Sequence, residues 1–195
     1  MKIAGIDYGS KLAGTTVIAY YDDNQTVTFQ ISEKKKDADK FLLQCIGELQ
    51  FTHIFIDAPL SLPGVYTNPQ DYTDYFYRAA DKTLKGMSPM FLGGLTARAM
   101  RLKAQLTTQT IQVFETYPAI HAQRFELKAL NYKKQLAHLS AVIDFLQREL
   151  PFSFHSNLIK SWHHIDALLA FYAAYRYQHQ TVDIVGLAAE GQIFI

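Results

Sequence analysis

Four carboxylates stand in positions where chemistry could be done. Asp7 follows Lys2-Ile3-Ala4-Gly5-Ile6, Asp57 follows His53-Ile54-Phe55-Ile56, and Glu115 follows Thr110-Ile111-Gln112-Val113-Phe114. Each acid closes a short, apolar, β-prone run. If the three runs are neighbouring parallel strands, their acids converge at the carboxyl edge of one sheet, where open α/β sheets place their sites. The plainer alternative is that each acid ends a strand or begins a turn, since Asp and Gly both favour turns. The fourth acid, Asp166, lies in His163-His164-Ile165-Asp166-Ala167-Leu168-Leu169-Ala170, an otherwise apolar helical stretch. A carboxylate on the packed side of such a helix needs a partner, because an unpaired buried charge is costly. A divalent cation is one partner and a core Arg or Lys is the other. His163 shares a helix face with Asp166, whereas His164 does not. Oxygen ligands with few nitrogens and no thiols suit Mg²⁺ or Mn²⁺ rather than zinc. No glycine-rich phosphate loop followed by Lys-Ser/Thr is present, and no Gly-x-Ser-x-Gly elbow.

The elements that must hold these residues follow from periodicity. Residues 2–8, 14–21 and 26–31 are expected as three consecutive strands, with Gly9 and Gly14 where the chain first reverses and Asp22-Asp23-Asn24-Gln25 as the next turn. Residues 38–49 carry Phe41, Leu42, Cys45, Ile46 and Leu49 at helical spacing. The run 53–57 is apolar on both faces and so belongs in the middle of a covered sheet. Pro59 and Pro63 take the chain out of it. Residues 65–108 form a long irregular region, expected as a helical insertion over one edge of the site. It holds an aromatic cluster (Tyr66, Tyr72, Tyr75, Phe76, Tyr77), then Arg78 and Asp81, then a helix over 96–105 with Arg98 and Arg101. A strand over 110–115 and helices over 134–149 and 158–177 follow, and 182–195 contains short strand-like pieces. Three meander-like strands followed by strands alternating with helices predict a single α/β domain.

The chain has 195 residues, 49% of them hydrophobic, enough for one domain with a real core. Its net charge of +1 excludes a global electrostatic drive toward nucleic acid or an anionic membrane, so any such site must be a local patch. The lone Cys45 cannot form an internal disulfide and fits a reducing, cytoplasmic setting. Asp7 interrupts the first apolar run too early for a signal peptide. No stretch approaches the roughly 20 apolar residues of a membrane span.

Gly5-Ile6-Asp7-Tyr8-Gly9-Ser10-Lys11 with Gly14 resembles the opening of ribonuclease-H-like nucleases, particularly the Holliday-junction resolvases and their relatives. Ile56-Asp57-Ala58-Pro59-Leu60, Arg78-Ala79-Ala80-Asp81, Glu115-Thr116-Tyr117-Pro118 and His164-Ile165-Asp166-Ala167-Leu168 together are similar to a family of unknown function described as predicted nucleases of that fold. The likeness runs nearly end to end and in order. It implies a mixed five-stranded sheet, with the first three strands antiparallel and the later two parallel, and an acid cluster binding two divalent metals. Asp7 matches the bridging acid, Asp57 the acid of the fourth strand and Asp166 the acid of the final helix. His163 falls where resolvases often carry a further acid and sometimes a histidine, so the resemblance implies it as a metal ligand beside Asp7, Asp57 and Asp166; Glu115 is a looser match, held as a substrate-facing or supporting acid.

The function so implied is metal-dependent hydrolysis of a phosphodiester in DNA or RNA by two-metal catalysis, in which one ion activates water and the other steadies the leaving oxygen. Lys11, Arg78, Arg98 and Arg101 are candidates for phosphate contact, and the tyrosines from Tyr66 onward for stacking on unpaired bases. The plainer roles are an internal pair of Arg78 with Asp81, and core packing for the aromatics. Two rivals stay open: a non-catalytic module of the same fold that binds nucleic acid or nucleotide, and a relative of the ATP-binding phosphotransferases. The sequence leaves the oligomer open, a homodimer included.

Overall fold

Alternating and helical patterns of apolar residues become strands and helices in a computed structural model that describes residues 1–195. Strands β1 (Ile3–Asp7), β2 (Val17–Tyr21) and β3 (Val27–Ile31) pair antiparallel in succession. The turn between β2 and β3 is held by the Asp22 carboxylate, which accepts from the N–H groups of Asn24 and Thr26. Helix α1 (Ala38–Leu49) is capped by the Asp37 side chain, which accepts from the N–H groups of Asp39 and Lys40. Strand β4 (His53–Asp57) then lies parallel to β1, and β5 (Gln112–Thr116) parallel to β4. Between them run α2 (Ala79–Leu84), α3 (Pro89–Leu92) and α4 (Gly94–Thr107). After β5 come α5 (Pro118–Arg124), α6 (Leu139–Glu149), α7 (Trp162–Gln178), β6 (Ile184–Val185) and β7 (Ile193–Phe194).

The architecture is α/β, with seven α-helices and one mixed seven-stranded sheet in the order β3-β2-β1-β4-β5-β7-β6. The expected count of five strands is therefore corrected. The closing hairpin adds two, with β7 parallel to β5 and β6 antiparallel to β7. Strands of two residues are too short to carry a periodic signal. Tertiary bonds hold them instead: Asp183 and Ile195 exchange backbone hydrogen bonds of 2.7 and 2.9 Å. The Glu190 carboxylate in the hairpin loop accepts from the N–H groups of Gly64 and Ala79.

Strand side chains alternate between two helical layers. Ile6, Ile18, Ile54 and Ile56 pack against Leu42 and Ile46 of α1 and against Ala99, Leu102 and Leu106 of α4. On the other face Val17, Ala19 and Phe55 pack against α6 and α7. The region 65–108 thus does more than cover an edge, because α4 completes one of the two main layers. Helix α7 crosses β1 closely: a Cβ added at Gly5 would fall 2.0 Å from the backbone nitrogen of Phe171. The buried alanines Ala167, Ala170, Ala173 and Ala174 make up much of the rest of its packed surface. No helix is long and apolar enough to cross a membrane.

Candidate active site

The register of the sheet decides which acids meet. Asp7 and Asp57 are direct partners across the parallel β1–β4 pair, so both side chains project from the same face. They share parity with Gly5 and Phe55 and therefore face α7. Helix α7 answers with His163 and Asp166 from its first turns. His163 Nδ1 lies 2.7 Å from an oxygen of Asp7, and this contact raises the pKa of the imidazole. An open cleft is lined by Asp7, Asp57, His163 and Asp166 together with Lys133 and Trp162. Four of the expected site residues are thus brought together.

Lys133 and Tyr132, which sequence patterns did not single out, complete the cluster. The Lys133 ammonium is 2.6 Å from one oxygen of Asp166, and the Tyr132 hydroxyl donates to the other. Two left-handed residues, Asn131 (φ 58°) and Lys133 (φ 59°), bend the loop so that both side chains reach α7. Burial alone would depress the Lys133 ammonium, but Asp166, Asp57 and Asp7 outweigh it and hold the charge. Of the two partners a buried Asp166 could have, the structure supplies the lysine. The need of Asp166 for a cation was the only trace of Lys133 in the sequence.

Asp57 differs from its neighbours. Its carboxylate accepts no hydrogen bond, and its pKa is pushed well above the usual carboxylate range by desolvation and then by the charges of Asp7 and Asp166. It is an acid aimed into a cleft beside like charges, without a partner of its own.

Glu115 and Arg78 are placed elsewhere. Glu115 pairs with Ile56, one residue short of Asp57, so its side chain leaves by the opposite face. There it takes a two-pronged contact from Arg78 at 2.6 and 2.7 Å and the N–H of Leu60 at 2.8 Å. Arg78 also bonds both oxygens of Asp81 and the hydroxyl of Ser61. The expectation that Arg78 meets substrate phosphate is corrected, because the residue is 0% exposed. It is a buried tie between α2, β5 and the loop after β4. Glu115, expected as catalytic, is occupied by that tie.

Arg98 binds Asp39 at 2.6 Å and donates to the Gly9 carbonyl, with its guanidinium 4.6 Å from the centre of the Tyr8 ring. It locks α4 to α1 and to the end of β1. Arg101 reaches the same Asp39 at 3.1 Å but keeps 60% of its side chain exposed. Lys11 pairs with Asp37 at 3.1 Å at the surface.

In kind, carboxylates plus one imidazole suit a hard divalent cation. Asp57, unpartnered among like charges, is the group such an ion would satisfy. The side chains are not gathered as a ready cage, since no three His, Cys, Asp or Glu residues converge tightly enough to enclose an ion. Asp166 is turned to Lys133, and Asp7 to His163. No model of a known protein family matches the chain, and neither does any curated protein.

Proposed function

We propose that the chain is a Mg²⁺- or Mn²⁺-dependent nuclease of ribonuclease-H-like architecture, with Asp7, Asp57 and Asp166 as its metal-holding acids. The observation that carries this reading is Asp57: a partnerless carboxylate, level with Asp7 on the adjacent strand and pushed toward protonation by desolvation and then by the charges of Asp7 and Asp166. Like charges so placed are stable when a cation joins them. The order β3-β2-β1-β4-β5, antiparallel and then parallel, supports the fold assignment. A bound divalent ion would supply the activated water and stabilise the leaving oxygen of the phosphodiester. Asp7 and Asp57 would hold it from neighbouring strands. His163 steadies Asp7 through its ring nitrogen, and Tyr132 and Lys133 steady Asp166. With an ion held by the acids, the Lys133 ammonium would be free to contact a phosphate at the cleft.

The test is a cleavage screen over single-stranded, duplex and branched DNA and RNA, with Mg²⁺ and with Mn²⁺. Asp57→Asn and Asp7→Asn should each abolish cleavage while circular dichroism stays unchanged. Full activity in either variant, or no cation-dependent cleavage of any substrate, overturns the reading. The Lys133–Asp166 pair favours one rival, a binding module that keeps the fold without the chemistry. Salt-sensitive binding without cleavage would establish that rival.

A further inference from the structure

Beside the acid cleft lies a second hollow. A cavity of about 260 Å³ opens between the carboxyl ends of β4 and β5 and the segment 86–95. Ala58, Pro59, Met87, Leu92, Leu95 and Tyr117 supply its largely apolar wall. Asp7, Tyr8 and Asp57 line both this cavity and the cleft that contains Lys133 and His163. The two acids thus border both spaces, and Asp81 and Glu115 also line the hollow, whose wall is otherwise mainly apolar. The Tyr117 hydroxyl at the cavity wall makes no hydrogen bond within the protein, so it is a free donor. An apolar pocket with a few polar groups is the usual form of a small-ligand site.

The segment that walls the cavity also carries uncovered aromatic surface. Met87 is 60% exposed and Phe91 67%, and Phe76, whose tilted ring is centred 5.9 Å from that of Phe91, is 53% exposed. Contiguous apolar side chains of this size mark a surface that meets something. Phosphates do not explain it, because phenyl and thioether side chains offer them no donor. Of the cations next to the segment in sequence, Lys82 is paired with Asp74 and Arg78 is buried, while Lys85 is outside any ion pair. Duplex binding depends on many free cations facing phosphates. An unpaired strand instead offers flat, apolar base faces, which stack on aromatic side chains with little demand for charge.

We propose that the cavity is a nucleobase pocket and that the ligand is an unpaired polynucleotide strand. One base enters between Tyr117 and the Met87–Leu95 wall. Its neighbours lie on Phe76 and Phe91, and the adjoining phosphodiester crosses the Asp7–Asp57 edge. The choice of a polynucleotide rests on the nuclease reading above.

The test measures fluorescence anisotropy of labelled DNA and RNA, as single strands and as blunt duplexes, against the Asp57→Asn protein so that nothing is cleaved. Single strands should bind at least about tenfold tighter than duplexes, the worth of one stacked base. In that background Phe91→Ala, at an exposed position, and Leu95→Trp, which fills the cavity, should each lower single-strand affinity about tenfold. Strands carrying abasic sites should lose the same affinity with no further change to the protein. Equal duplex binding, or single-strand binding indifferent to both variants and to abasic sites, overturns the proposal. The DNA and RNA arms identify the sugar. Pocket-dependent strand binding with no cleavage by the unaltered protein leaves the pocket standing and removes the nuclease reading. Cleavage of duplexes, indifferent to Phe91 and Leu95, does the reverse.

Discussion

At the scale of single residues, the acids of the cleft are not alike, although the sequence presents them as a set. Asp7 leans on His163, Asp166 on Lys133 and Tyr132, and Asp57 on nothing. Lys133 is the cation that makes this arrangement tolerable in the absence of metal. Lys133→Met keeps the length and removes the charge, leaving three acids to repel one another. Thermal stability without metal should fall by roughly 1–2 kcal/mol, less than for a fully buried pair because the lysine is half exposed. Mn²⁺ affinity measured by calorimetry should rise about tenfold, since the ion no longer displaces an ammonium. Unchanged Mn²⁺ affinity would show that lysine and metal do not share the site.

At the scale of elements, one residue of register separates a site acid from a structural one. Asp7, Asp57 and Glu115 all close apolar strands, and by that pattern they are equivalent. Pairing places Glu115 level with Ile56 and sends its carboxylate to the face away from α7, where Arg78 neutralises it. Such an offset is invisible in the local pattern, because it depends on how two distant strands slide past each other. Arg78→Met tests the assignment. Cutting a buried charge out of a fully bonded network should cost about 3–5 kcal/mol in chemical denaturation. A phosphate contact would instead leave stability intact and weaken substrate binding alone. The aromatic cluster, by contrast, stays out of the core: none of Tyr66, Tyr72, Tyr75, Phe76 and Tyr77 is buried, although Arg78 beside them is.

At the scale of the whole molecule, the net charge is +1, and nine of the 19 Lys and Arg residues, among them Arg78, Arg98 and Lys133, form ion pairs within the fold. Stability against acid is set partly by His121, which is fully buried against Tyr172 with both ring nitrogens unbonded. Burial, helped by Arg124 and Arg176, lowers its pKa from 6.5 to about 3. Between these values the unfolded chain binds a proton that the folded one refuses. The contribution of His121 is therefore fully present above pH 6.5 and is lost as pH falls toward 3. The slope is about 1.4 kcal/mol per pH unit. His121→Phe should flatten denaturation midpoints across that window, and an unchanged slope would assign the acid sensitivity to another group.

Much of this protein was legible in its residues alone. Apolar runs of strand length, helical spacing over 38–49 and the turn chemistry at Asp22 are local properties, and local sterics and hydrogen bonding decide them. That is why β1, α1 and β4 lie where periodicity places them, and why an acid ends both β1 and β4. The small residues around Asp166 likewise announced a helix packed close to the sheet. Tertiary structure alone decided the rest. The partner of Asp166 is a lysine more than thirty residues away, brought in by a loop with two left-handed residues. The partner of Glu115 is an arginine at the start of α2, 37 residues away. The last two strands exist because distant groups bond to them. Each of these depends on which side chains come together across the fold, and buried charge selects its partner by proximity in space, which no spacing along the chain records.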